Sequence, residues 1–149
     1  MSETKIKKQA ILTETCIIAE TTADQSIPQT TATKVTFNDE KLDTLGEFDP
    51  ATNYRFTATK AGNYKIHASL TWTTAGNGER IIIFIYKGGS EIRRTEVLPG
   101  AAGSCNTSVS ANVIMAVGNY IEIYVWHTGA ASNLQGGYGS SWLDISRIY

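Results

Sequence analysis

Tyr64-Lys65-Ile66-His67-Ala68-Ser69-Leu70-Thr71-Trp72-Thr73 puts Tyr64, Ile66, Ala68, Leu70 and Trp72 on one side of an extended chain and Lys65, His67, Ser69, Thr71 and Thr73 on the other. Successive side chains of a strand point to opposite faces, so this period of two predicts a β-strand with one buried and one polar face. The next run, Arg80 to Lys87, is apolar on both sides, with Ile81, Ile83 and Ile85 against Ile82, Phe84 and Tyr86. It reads as a strand covered on both faces. Lys87-Gly88-Gly89-Ser90 offers the paired positive-φ positions of a tight hairpin. Residues 91–98 return as a more polar strand, ended by Pro99-Gly100.

The same alternation continues outward in both directions. Residues 101–106 read as a small-residue loop, after which Val109, Ala111, Val113, Met115 and Val117 alternate. Gly118-Asn119 turns the chain into a strand over residues 120–126. Residues 129–139 read as a Gly/Ser/Asn loop and residues 142–149 as the closing strand. Toward the N-terminus, residues 16–19 and 34–37 read as short strands, 27–33 as extended or looping, and 43–49 as a long polar connection. Frequent threonines favour extended backbone, and no stretch carries a helical period. Such a pattern predicts an all-β sandwich or barrel. Eight to ten strands fit a two-sheet jelly roll, and a lipocalin-like barrel or an immunoglobulin-like sandwich shares these cues. Residues 1–15 precede the first clear strand and read as an arm or attachment segment, leaving residues 16–149 as one domain.

Composition narrows the function. The chain has 149 residues, 42% hydrophobic and 18% charged, which suits one globular domain with its own core. A formal net charge of -1 leaves no basic excess to neutralise phosphates, so nucleic acid is not expected as a partner. The longest apolar runs, at residues 81–85 and 16–19, are too short to span a bilayer as a helix. Met1-Ser2-Glu3-Thr4-Lys5 lacks the basic start and apolar centre of a secretory signal, which predicts a cytoplasmic protein or one released by another route. Cys16 and Cys105 form no Cys-x-x-Cys pair and are read as two free thiols acting as small hydrophobes.

From about Cys16 to Tyr149 the chain resembles the globular-head domain of complement first-component q, in the tumour necrosis factor-like jelly-roll superfamily. Thr33-Lys34-Val35-Thr36-Phe37, Phe48-Asp49 and Tyr54-Arg55-Phe56-Thr57-Ala58 look like that family's early strands. Ala61-Gly62-Asn63-Tyr64-Lys65-Ile66 resembles its Gly-x-Tyr strand start, and Tyr86-Lys87-Gly88-Gly89 its Lys-Asn-Gly hairpin with Gly88 in place of Asn. Val117-Gly118-Asn119-Tyr120-Ile121 resembles its Gly-Asp turn, and residues 141–149 its closing strand. Ala23-Asp24-Gln25-Ser26-Ile27-Pro28 and Thr33-Lys34-Val35 look more like the bacterial and phage branch. The collagen-like stalk of the animal proteins is absent. The resemblance implies a two-sheet jelly-roll sandwich of about ten strands that forms a homotrimer. It also implies that the sheet face opposite the core lines the trimer axis. Carried over, this puts Lys65, His67, Ser108, Ser110, Asn112 and Ile114 at the subunit interface.

The remaining candidates have plainer roles. His67 could titrate at a threefold axis, though an ordinary hydrogen bond is the plainer role. His127, at a strand end before a Gly-rich loop, is expected to be exposed. No Gly-x-Ser-x-Gly elbow is present, and Gly136-Gly137-Tyr138-Gly139-Ser140 precedes a strand, where a phosphate cradle needs a helix. Asp39, Glu40, Asp43, Glu47 and Asp49 make an acidic loop without calcium-loop spacing, so solvated charge is the reading. Asn106-Thr107-Ser108 matches a glycosylation acceptor, a triplet common by chance. Trp72, Trp126 and Trp142 could stack on sugars, but Trp72 and Trp126 continue apolar strand faces and are expected in the core.

Loops on a rigid sandwich are where binding is expected, and Asn77, Glu79, Ser104, Asn106, Asn133, Gln135 and Tyr138 are the candidates. The expectation is a non-enzymatic protein without metal or cofactor: a trimeric structural or adhesive component of a phage-like virion, decorating the capsid or tipping a fibre. Residues 1–15 would meet capsid or tail proteins, and the loops a host-surface glycan or protein. It would be made in the host cytoplasm. The rivals are a bacterial lectin-like or protein-binding module outside a virion, in the cytoplasm or at the cell surface, and a carbohydrate hydrolase on the same sandwich.

Overall fold

A computed structural model describes residues 13–130 and 132–149. The expected arm, residues 1–15, lies outside the described residues up to residue 12. Among the described residues the elements are strands: β1 (Cys16–Glu20), β2 (Gln25–Ile27), β3 (Thr33–Lys34), β4 (Asp39–Asp43), β5 (Phe48–Asp49), β6 (Arg55–Thr57), β7 (Gly62–Ala75), β8 (Ile81–Lys87), β9 (Ser90–Val97), β10 (Gly103–Met115), β11 (Tyr120–His127), β12 (Ser132–Leu134) and β13 (Trp142–Arg147). The excess over the expected ten comes from pieces of two or three residues. No helix among them is long and apolar enough to cross a membrane.

The strands form two sheets. In the first the order is β2-β12-β7-β13-β1-β4, with β10 on the other edge of β7. In the second it is β5-β6-β11-β8-β9, with β3 also pairing β11. Every pairing is antiparallel. This is the expected all-β, two-sheet jelly roll. Tyr64, Ile66, Ala68, Leu70 and Trp72 of β7 point inward, as their alternation requires, with Ile17, Val109, Leu143 and Ile145 from the same sheet. They meet Phe56, Ile81, Ile83, Ile85, Ile121, Ile123 and Val125 of the second sheet. Burial of this apolar surface supplies most of the favourable free energy of folding. The buried Trp72 indole N–H is satisfied by Thr107 Oγ1 at 3.2 Å. Gly88 and Gly89 adopt the positive φ values, 59° and 80°, that a hairpin with two such residues needs.

Several boundaries differ from the sequence reading. The supposed loop at residues 101–106 is strand from Gly103, because β10 pairs along almost the whole of β7. Residues 129–139 contain β12, which extends the β7 edge where β13 ends: Trp142 pairs Ser69 and Leu134 pairs Trp72. Three of the five residues of the acidic loop, Asp39, Glu40 and Asp43, lie in β4, an edge strand whose charges need no buried face, and Asp49 lies in β5.

The acidic side chains have local uses. Asp43 accepts from the N–H groups of Leu45, Gly46 and Phe48. Glu47 accepts from the N–H and hydroxyl of Thr59. Asp49 accepts from the N–H groups of Thr52, Ala51 and Asn53 and from the Asn53 side chain. Those bonds, Thr52 first, lower the Asp49 carboxyl to about 2. A depressed carboxyl stabilises the fold above its unfolded value near 3.8, and that contribution fades as pH falls through about 2. Asp49→Ala is therefore expected to lower the urea midpoint at neutral pH. The gap to the unaltered chain should close as the pH nears about 2.

Candidate functional site

Two surfaces and one buried cluster carry the chemistry. The first surface is the outward face of the first sheet, where register aligns side chains distant in sequence. One row runs across five strands: Leu42, Ile18, Asp144, His67 and Ser110. Beside it run Cys16, Ser146, Lys65 and Asn112, and on the other side Glu20, Trp142, Ser69 and Ser108. Ile114 pairs Asn63 beyond them and is 79% exposed. Lys65, His67, Ser108, Ser110, Asn112 and Ile114 therefore share one face, with Ser110 opposite His67 and Asn112 opposite Lys65.

The sequence reading missed what β1, β4 and β13 add to this face. Ile18, Leu42 and Trp142 make it less polar than β7 and β10 alone imply. Trp142 packs edge-on against the His67 ring, with centroids 4.8 Å apart. Burial raises the Asp144 carboxyl, His67 opposes that shift, and Glu20 adds to it.

The second surface is the outward face of the second sheet, and here an expectation fails. Trp126 is not in the core. Along β11 the inward residues are Ile121, Ile123 and Val125, so Tyr120, Glu122, Tyr124 and Trp126 point outward. Ile82, Phe84 and Tyr86 of β8 share that side. The apolar outer side of β8 is thus covered by neighbouring side chains of its own sheet, with no second layer above it among the described residues.

The buried cluster overturns two further readings. His127, expected to be exposed, is fully buried, and Glu79, expected on a binding loop, is 6% exposed. His127 Nδ1 lies 2.7 Å from Glu79 Oε1, and Nε2 lies 2.8 Å from the Ile27 carbonyl oxygen. Each ring nitrogen of His127 thus faces an oxygen atom at hydrogen-bond distance. Glu79 Oε2 accepts from the Gly76 N–H at 2.6 Å, and Oε1 from the Gly129 N–H at 3.1 Å. Gly129 lies so close to this carboxylate that a Cβ there would overlap it. The Ser132 hydroxyl reaches Glu79 at 3.4 Å and the Thr74 carbonyl at 2.6 Å. A serine, a histidine and a carboxylate meet here without forming a hydrolytic triad. In a triad the histidine bonds the serine, whereas here Glu79 stands between them and the second ring nitrogen is bound to backbone. The cluster ties the 76–79 turn to the 128–130 segment.

The remaining loop candidates are partly brought together. Asn77 helps line an open hollow of about 550 Å³ between residues 74–79 and 128–130. Ser104 lies near that end, since Gly103 pairs Ala75. So does Asn133, whose carbonyl accepts from Thr73 Oγ1. Asn106 is on a strand face, bonded to Ser69 and Thr71. Gln135 is half-buried, with its N–H on the Thr71 carbonyl.

Tyr138 is fully exposed, as expected, and has a left-handed φ of 53° between two such glycines. Its loop is seated by Gly136, which touches the Ala23 backbone where a Cβ would overlap it, and which donates to Asp24 Oδ1 at 2.9 Å. Gly136→Ala is expected to lower stability by about 1–3 kcal/mol in urea denaturation, the cost of forcing packed backbone apart. An unchanged midpoint would mean that the loop moves aside freely. Cys16 and Cys105 are unpaired, and burial raises the Cys105 thiol. Among the described residues no three His, Cys, Asp or Glu side chains converge to hold a metal ion.

No protein-family model and no curated protein matches the sequence. Solved structures share the fold. The Eiger TNF of S. frugiperda has a TM-score of 0.70 at 7% identity, with 91% of this chain and 93% of that chain covered. The globular domain of zebrafish complement 1qA protein gives 0.71 at 17% identity, with 91% and 98% covered. The chain therefore has a jelly roll like those of tumour necrosis factor and complement first-component q, as the sequence resemblance implied.

Proposed function

We propose that this chain is a non-enzymatic homotrimeric structural and adhesive domain, and that its setting is a phage-like virion. One observation carries the self-assembly: the five-strand row from Leu42 to Ser110. Its short side chains near Ser108, Ser110 and Ser69 permit close approach of another sheet. Ile18, Trp142 and Ile114 supply apolar surface that an isolated chain leaves in water. His67, Ser108, Ser110 and Ile114 on this face are also among the residues that the family resemblance puts at the interface. The likeness of residues 23–28 and 33–35 to the bacterial and phage branch is compatible with the virion setting.

Sedimentation equilibrium at micromolar concentration is expected to give three times the 16.2 kDa chain mass, and a stable monomer would sink the proposal. Antibody labelling of native particles tests the setting: labelled capsids or fibre tips are expected, and unlabelled particles would remove the virion role while leaving the trimer.

A further inference from the structure

The second sheet presents an outward face that self-assembly through the first sheet does not use. Three rows cross it. Glu96 pairs Ile82 and Ile82 pairs Trp126; Arg94 pairs Phe84, which pairs Tyr124 beside Lys34; Glu91 pairs Tyr86, which pairs Glu122. Tyr86 and Tyr124 stack with centroids 4.4 Å apart and planes 19° from parallel. The Arg94 guanidinium lies 5.7 Å from the Phe84 ring centroid, and that of Arg80 lies 5.8 Å from Trp126. Between them is a depression of about 270 Å³. Ile82 and Phe84, both nearly buried, form its floor, Trp126 and Tyr86 border it, and Arg80, Arg94 and Glu91 edge it. That volume is just below the usual range for small-ligand sites.

The charges select among ligands. The two cations that edge the depression and the neighbouring Lys34 each have their own anion: Arg80 meets Glu96 at 2.7 Å, Arg94 meets Glu91 at 2.8 Å, and Lys34 meets Glu122 at 2.5 Å; Arg55 lies away from it, over the Tyr120 ring. At the depression an acidic polysaccharide or a nucleic acid meets no uncompensated positive charge and would have to break these pairs. A neutral ligand does not. What remains is flat aromatic surface next to guanidinium donors and carboxylate acceptors held ready by their pairing. That combination matches a sugar ring, which has an apolar C–H face and a belt of hydroxyls.

We propose that this depression is a binding site for one residue of a neutral oligosaccharide, stacked on Trp126 and Tyr86, with its hydroxyls held by Arg80, Arg94 and Glu91. The site lies within one chain and is independent of the trimer, so either proposal can fail alone.

The test is an array of neutral oligosaccharides (glucose, galactose, mannose and N-acetylglucosamine series) beside sialylated and sulfated ones, probed with the full chain. Hits are titrated by calorimetry with the free oligosaccharide. Neutral glycans are expected to bind, with affinity falling about tenfold or more in Trp126→Ala, the scale of losing a central aromatic contact. Arg94→Ala, on an exposed edge strand, keeps the floor intact and covers the case in which Trp126→Ala fails to fold. It is expected to weaken binding severalfold, while Thr52→Ala in a distant turn should bind as the unaltered chain does. The proposal is overturned by no neutral glycan bound at millimolar concentration, by a preference for acidic glycans, or by undiminished binding in Arg94→Ala and folded Trp126→Ala. A protein ligand that occupies this face while glycans do not bind overturns it as well.

Discussion

Glu79→Ala will destabilise the fold by about 3–5 kcal/mol, the range for removing a buried carboxylate that several donors share. The carboxylate receives His127 Nδ1, the Gly76 and Gly129 N–H groups and the Ser132 hydroxyl. Alanine leaves a fully buried imidazole facing a void and two backbone donors without their acceptor. It also releases two loops at the same end of the sandwich, so the open hollow beside them should widen. Glu79→Gln keeps the shape and one acceptor oxygen and is expected to lose less.

The informative control is the double replacement, Glu79→Met with His127→Leu. Replacing both members of a buried pair by apolar side chains of similar volume is often close to neutral, so the pair should sit well above the sum of the single losses. Urea denaturation of the unaltered chain, Glu79→Met, His127→Leu and the double variant gives the coupling directly. Should Glu79→Ala cost less than about 1 kcal/mol, the clamp reading fails.

How legible each feature was depends on how local its cause is. The alternation from Tyr64 to Thr73 has its cause in the strand itself, and β7 matches it residue for residue. The shared face of Lys65, His67, Ser108, Ser110, Asn112 and Ile114 was legible because β7 and β10 are long and strictly alternating, so an error of register would have exposed a whole buried face. The burial of His127 was not legible, because its partner stands 48 residues earlier in a turn of ordinary polar composition. Likewise β12 has no apolar pattern of its own; it exists because Leu134 falls against the end of β7.

Trp126 differs from these. Its outward direction was encoded in the phase of its own strand, since Glu122 and Trp126 stand an even number of residues apart, on the face opposite Ile121, Ile123 and Val125. Reading a tryptophan as core by its hydrophobicity overrode a period that pointed the other way. The consequence is functional, because that side chain belongs to the surface proposed to hold a sugar.

Ser110→Arg is expected to convert the proposed trimer to monomer at micromolar concentration. Ser110 ends the row that begins at Leu42 and stands directly opposite His67. In the proposed trimer a long cation there would meet its symmetry copies or their neighbours three times around the axis, and like charges forced together across an interface cost several kcal/mol. The assembly constant should therefore fall by about two orders of magnitude or more. Ser110→Ala removes the hydroxyl without adding bulk and should sediment as the unaltered chain does. In isolation the arginine is solvated on an exposed strand position, so the far-ultraviolet spectrum of the monomer should stay that of a β protein. Its melting temperature should nonetheless fall and lose its dependence on protein concentration, because assembly stabilises the folded state by mass action. A Ser110→Arg chain that still sediments at trimer mass would place the subunit contact elsewhere. The outward face of the first sheet would then need another partner for Ile18, Trp142 and Ile114.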